Sequence, residues 1–123
     1  MTVRSAERIT GMEIRLIPPA SKVGSAVTYA AYDQGAEVIR RTESGHSATL
    51  GAIVETLYRR TAQKVFERAK WRCEECGRIR PIQAHHVIFR SHGRVDSMEN
   101  LRALCKSCHE NAHRSHVGSR ATA

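Results

Sequence analysis

The four cysteines of the chain fall in two pairs of identical spacing, Cys73 with Cys76 and Cys105 with Cys108. A tight turn over that spacing brings both sulfurs to about 2.3 Å from one tetrahedral ion. Gly77, directly after the first pair, relaxes the backbone where the turn must end. Two such knuckles close a four-thiolate shell, the arrangement of structural Zn²⁺. Disulfides are disfavoured because no export signal precedes the pairs, and a thiol redox motif needs only one pair. A closed shell has no open coordination position, so this metal holds the fold and the reaction chemistry must come from other side chains.

Histidines are the natural candidates. His85 and His86 sit among apolar and β-branched residues, from Ile82 to Phe89, which predicts a strand. Adjacent strand residues point to opposite faces, so the two imidazoles must do different jobs. His109 and His113 lie four residues apart in a segment of helical character that begins at Lys106, and therefore share one helix face. Two imidazoles one turn apart can share a divalent ion with a third ligand from the strand. His46, His92 and His116 read as surface histidines.

Taken in order, His85 and His86, then Asn100 and Leu101, then Leu104, Cys105, Cys108 and His109, then His113, the sequence resembles the ββα-metal core of the HNH endonuclease family, in its zinc-knuckle subgroup. The likeness runs from about Trp71 to His113 and does not touch the first half of the chain. It implies that His85, His109 and His113 hold a catalytic divalent ion and that His86 is the general base. Asn100 would hold strand and loop so that His86 faces the attacking water. A neutral imidazole, with an ordinary pKa of about 6.5, can take a proton from water near neutral pH. Three imidazoles suit Mg²⁺ poorly and Mn²⁺, Ni²⁺, Co²⁺ or Zn²⁺ better. The implied activity is metal-dependent hydrolysis of phosphodiester bonds in DNA, by a protein of phage or mobile-element type. The alternative is a catalytically inactive, zinc-stabilised module for nucleic-acid binding or assembly.

These side chains need elements to carry them. Leu50, Ile53, Val54, Leu57 and Tyr58, continued by Ala62, Val65, Phe66 and Ala69, recur at helical spacing and predict one long helix or two joined ones over 48–72. Arg59, Arg60, Lys64, Arg68 and Lys70 occupy its other faces, as a solvated surface or, on a sharper reading, as phosphate contacts. Before it, Met12, Ile14 and Leu16 alternate with Glu13 and Arg15 as in a strand that Pro18 and Pro19 stop. Val27–Tyr32 and Ala36–Thr42 could form a hairpin around Asp33, Gln34 and Gly35, although the alanines of both runs would also suit a helix. The expected fold is thus α+β: a ββα-metal core over 71–115 with a four-cysteine zinc site, preceded by a helical lead-in over 48–72. Residues 1–47 form a separate N-terminal region of unknown role, with 48–123 as the nuclease domain.

Composition constrains the partners. A chain of 123 residues and 13.8 kDa, with aromatic residues at 5%, supports one modest core. No run is long enough to span a membrane and no signal peptide is evident, which predicts a cytoplasmic protein without a membrane partner. The formal charge is +8, and acidic and basic residues balance up to Thr56, so the whole excess lies after Leu57. That asymmetry is the footprint of a polyanion, with nucleic acid first. Arg78, Arg80, Arg90, Arg94, Arg102, Lys106 and Arg114 lie in or beside the proposed core as candidate phosphate contacts. No basic recognition helix is present, so DNA binding should show weak sequence preference and a steep dependence on salt. A homodimer or a larger DNA-processing complex would be needed to bring two active sites together.

Overall fold

A computed structural model of the chain describes residues 1–19, 24–88 and 93–112. The elements follow as α1 (Val3–Thr10), β1 (Glu13–Ile17), β2 (Ala26–Asp33), β3 (Ala36–Ser44), α2 (His46–Arg68), β4 (Ile82–His86) and β5 (Leu101–Cys105). Residues 106–112 are helical and are denoted α3 as far as they are described. The fold is the expected mixture of helix and sheet. The expectations placed on Arg90, His113 and Arg114, and on the surface histidines His92 and His116, lie outside the described residues.

Strands β1, β2 and β3 form an antiparallel meander, and β4 pairs with β5 in a second, two-stranded sheet. The hairpin between β2 and β3 turns at Gln34 (φ 51°) and Gly35 (φ 83°). Two consecutive left-handed residues make the tight turn whose twist suits a two-residue hairpin. The helical alternative for the alanine-containing runs is therefore not adopted. Helix α1 was not expected from the sequence, because its eight residues hold only Ala6 and Ile9 as buried apolar positions. Thr2 and Ser5 close a reciprocal cap at its start, and Gly11 ends it in the left-handed conformation (φ 72°).

Helix α2 is one continuous helix, starting two residues before the expected lead-in and ending at Arg68. Leu50, Ile53, Val54 and Leu57 pack with Ala6, Ile9, Ile14, Tyr29, Ala31 and Ile39 in the larger core. Further along the same helix, Val65 packs with Leu101 and Ala103, flanked by Tyr58, Phe66, Ala69 and Ala84. The helix is thus a spine common to both sheets, one at each end. Thr49 anchors its first turn: the fully buried hydroxyl lies 2.8 Å from the carbonyls of both Val27 and Gly45 and accepts from the Glu43 N–H at 3.2 Å. Among the described residues no helix is long and apolar enough to cross a membrane.

Candidate active site and zinc centre

The end of α2 sets the first knuckle. Lys70 and Trp71 are both left-handed (φ 54° and 60°), and their N–H groups return to Glu67 at 3.0 Å and Phe66 at 2.9 Å. This pair of closing bonds stops the helix and turns the chain two residues before Cys73. In the knuckle the Gly77 N–H donates to the Cys73 carbonyl at 2.9 Å with φ 74°, the conformational freedom anticipated for that glycine. The second knuckle lies where β5 passes into α3.

All four sulfurs lie within 4.8 Å of one another, with Cys76 Sγ and Cys105 Sγ 3.9 Å apart. Tetrahedral Zn–S bonds of about 2.3 Å place sulfurs roughly 3.8 Å apart, so the spacing fits. Burial acts to raise the Cys73 pKa, but backbone N–H groups of Cys76, Cys105 and Glu75 outweigh it and lower it to about 6. The Cys108 thiol is pushed up to about 12, first by its hydrogen bond to Cys105 and then by burial. Crowded thiols compete for one another's protons in this way, and a divalent cation removes the conflict. The donor set fits Zn²⁺.

Glu74, which the sequence did not single out, and Arg68, expected on a basic helix face, lock the knuckle to the sheet. Glu74 donates its N–H to the Ala103 carbonyl and accepts the Ala103 N–H on Oε1, both at 2.8 Å. Arg68 reaches Glu74 Oε1 at 2.8 Å and also donates to the carbonyls of Met98 (2.7 Å) and Leu101 (2.8 Å). Burial raises the Glu74 pKa, yet the Arg68 hydrogen bond and the Ala103 N–H prevail and hold it below the usual carboxylate range. Arg68 is thereby a clamp across three segments, not the solvated cation of a basic helix face.

The paired histidines lie on opposite faces of β4. The His85 ring meets that of His109 edge-on, with centroids 4.9 Å apart, so a strand and α3 bring two of the three expected ligands together. His86 turns the other way, stacked on Tyr58 of α2 at 5.9 Å with 13° between the rings. Its Nε2 lies 2.7 Å from Asp96 Oδ1, and both side chains are almost fully enclosed. Arg94 forks onto the same carboxylate, with Nε to Oδ1 at 3.0 Å and Nη2 to Oδ2 at 2.8 Å. Because a carboxylate only accepts, neutral His86 carries its proton on Nε2 and leaves Nδ1 as the basic atom.

Asp96 escaped the sequence reading because it lies in a polar loop with no periodicity. What fixes its position includes the first half of the chain: its N–H donates to the Ile9 carbonyl of α1 at 2.8 Å. Asn100 holds the other side of that loop. It accepts the Ile88 N–H on Oδ1 at 2.8 Å, donates Nδ2 to the Val95 carbonyl at 2.8 Å, and its own carbonyl takes the Val87 N–H.

Of the candidate phosphate contacts that the structure describes, Arg78, Arg80 and Lys106 are exposed. Arg94 is held by Asp96, and Arg102 pairs with Glu75 at 3.0 Å while donating to the Glu74 carbonyl at 3.3 Å. The basic residues of the second half therefore divide between structural clamps and solvent-facing cations.

Residues 73–115 match the HNH endonuclease family. This segment is of the HNH kind. The match contains both cysteine pairs, His85, His86, Asp96, Asn100, His109 and His113. The chain is also 35% identical over 58 residues to the type IV methyl-directed restriction enzyme EcoKMcrA of Escherichia coli strain K12. That alignment takes in 40% of this chain and 21% of the relative, so only a fifth of the relative's length is represented. No solved structure matches.

Proposed function

We propose that the chain is a metal-dependent endonuclease that hydrolyses phosphodiester bonds in DNA. The observation that carries the reading is the division of β4 into two chemistries, His85 against His109 on one face and His86 against Asp96 on the other. In this reading His85, His109 and His113 hold a divalent ion. When bound, that ion would supply charge neutralisation at the scissile phosphate and stabilise the leaving oxygen. His86 takes a proton from the attacking water at Nδ1. Asp96 keeps the imidazole in the tautomer that makes this atom basic, and Arg94 keeps Asp96 in place. Asn100 ties the loop that carries Asp96 to the end of the strand that carries His86.

Arg78, Arg80 and Lys106, together with Arg90 and Arg114, would hold the backbone of the strand being cut, and contacts of that kind carry no sequence information. Weak sequence preference and a phage or mobile-element setting belong to the same proposal. The test is plasmid cleavage with Mg²⁺, Mn²⁺, Ni²⁺, Co²⁺ or Zn²⁺ added in turn, comparing the unaltered protein with His86→Ala. Nicking or linearisation by the former and not the latter is expected. If the unaltered protein is inert with every ion, the zinc-stabilised binding module is the correct reading; equal cutting by both would remove His86 as base.

A further inference from the structure

Tyr58, which stacks on His86, also lines a cleft of about 460 Å³ on the α2 side of β4. Phe66, Trp71, Arg59, Gln63 and Gln83 form most of its remaining wall. The volume falls within the range of small-molecule sites, about 300–1,000 Å³. Its composition is specific: three aromatic rings, two carboxamides and a guanidinium.

Trp71 is the informative member. The indole packs on Phe66 at 5.7 Å, the contact that closes the end of α2, and this accounts for one side of the ring. The residue is nevertheless 53% exposed. It is presented by two successive left-handed residues, Lys70 and Trp71, a backbone state that costs L-residues roughly 1–2 kcal/mol each. Arg59, which pairs with Glu55 at 3.2 Å, lines the cleft, and Lys70 and Arg72, next to Trp71 in the chain, are exposed cations. Aromatic faces bordered by cations are the surface that binds single-stranded nucleic acid, because every base offers a π-face and every nucleotide a phosphate. Carboxamides add donors and acceptors for a base edge.

We propose that this cleft takes one unpaired nucleobase of a DNA strand, stacked on Trp71, beside the strand segment that carries His85 and His86. An apolar peptide would fill the same volume, but it would gain nothing from the Arg59 guanidinium, the amides or the neighbouring Lys70 and Arg72. The site rests on DNA as the substrate and does not require cleavage. It adds a preference for unpaired or distorted DNA that the phosphate contacts cannot supply.

Trp71 is the single tryptophan of the chain, so its emission reports on the cleft directly. The experiment uses the zinc-loaded full chain with no other divalent ion. A labelled duplex carrying one unpaired thymidine, and the same duplex fully paired, are titrated while anisotropy and tryptophan emission are followed. Quenching by the bulged duplex and little change with the paired one are expected. Trp71→Ala should weaken binding of the bulged duplex by roughly 5-fold or more while leaving the paired duplex unaffected, and Trp71→Phe should restore most of the difference. Gln83→Ala, which leaves the indole intact, should reduce the preference for the bulge while quenching persists. Binding of the bulged duplex without any change in emission, or equal binding by the Trp71→Ala variant, would overturn the proposal. DNA cleavage with a silent Trp71 removes this site alone; failure to bind either duplex removes the DNA substrate as well.

Discussion

The two ends of α2 are built on different physical principles. At the first end, side chains from α1, three strands and the helix enclose an ordinary apolar core, with Leu50, Ile53 and Val54 almost wholly removed from water. At the second, the buried apolar side chains are few, and one of the two small clusters is made largely of Cys73, Cys105 and Leu104. Burial of apolar area stabilises the first end at about 25 cal/mol per Å². The second has little such area, and its four clustered thiols offer the place where a metal would stand in for it. On the proposed reading, a site that must stay open to a nucleic acid strand would be held by coordination and charge-assisted hydrogen bonds, with the conventional core supporting it from behind.

That contrast is broken most severely by removing the metal. Strong chelation, or Cys73→Ser, should unfold β4, β5 and the knuckles, since structural zinc contributes on the order of 10 kcal/mol to folding. The meander and the first part of α2 should persist, and amide hydrogen exchange would show protection lost only in the last turns of α2 and beyond them. Uniform loss over the whole chain would mean that the two ends are not energetically separate.

Next in size is the test of the active-site loop. His86→Ala should lower DNA cleavage by about 10²–10⁴-fold, the usual contribution of a general base. Asp96→Asn should cause a smaller loss with zinc content unchanged, as metal analysis and plasmid cleavage together would show. Equal activity of Asp96→Asn and the unaltered protein would make that carboxylate a loop anchor only.

In the apolar core, Ile53→Ala should cost about 2–5 kcal/mol in denaturant unfolding without changing zinc stoichiometry. If the variant instead releases zinc, the helix transmits damage from one end to the other. The smallest expected effect is at Thr49. Thr49→Val keeps the shape but leaves the Glu43 N–H without its acceptor, and about 1–3 kcal/mol should be lost in thermal or denaturant unfolding.

The four-cysteine cluster was legible because its information is local. Two thiols at fixed spacing define a knuckle whatever surrounds them, whereas His85 and His109, 24 positions apart, meet only because β4 and α3 do. The hairpin was legible from Gln34 and Gly35, which supply the turn, but its alternative as helix could be dismissed only when β2 paired on both sides with β1 and β3. Helix α1 was overlooked: Val3, Ala6 and Ile9 do recur at a spacing of three on one face, but two turns with one large buried side chain make a weak signal beside the β1 alternation that follows.

Taken alone, the sequence determined the four-thiolate shell, the assignment of His85 and His86 to opposite faces, and the concentration of positive charge in the second half. Tertiary structure decided which of those charges are available, since Arg68, Arg94 and Arg102 are bound to Glu74, Asp96 and Glu75 across 6, 2 and 27 positions of chain. It also decided that Asp96 orients His86 and that α1, in the neutral first half, holds the Asp96 loop through Ile9. The physical reason is one of range. Metal knuckles, turns and strand alternation are set by covalent geometry over a few residues, whereas the partner of a charge is whatever the fold brings within 3 Å of it.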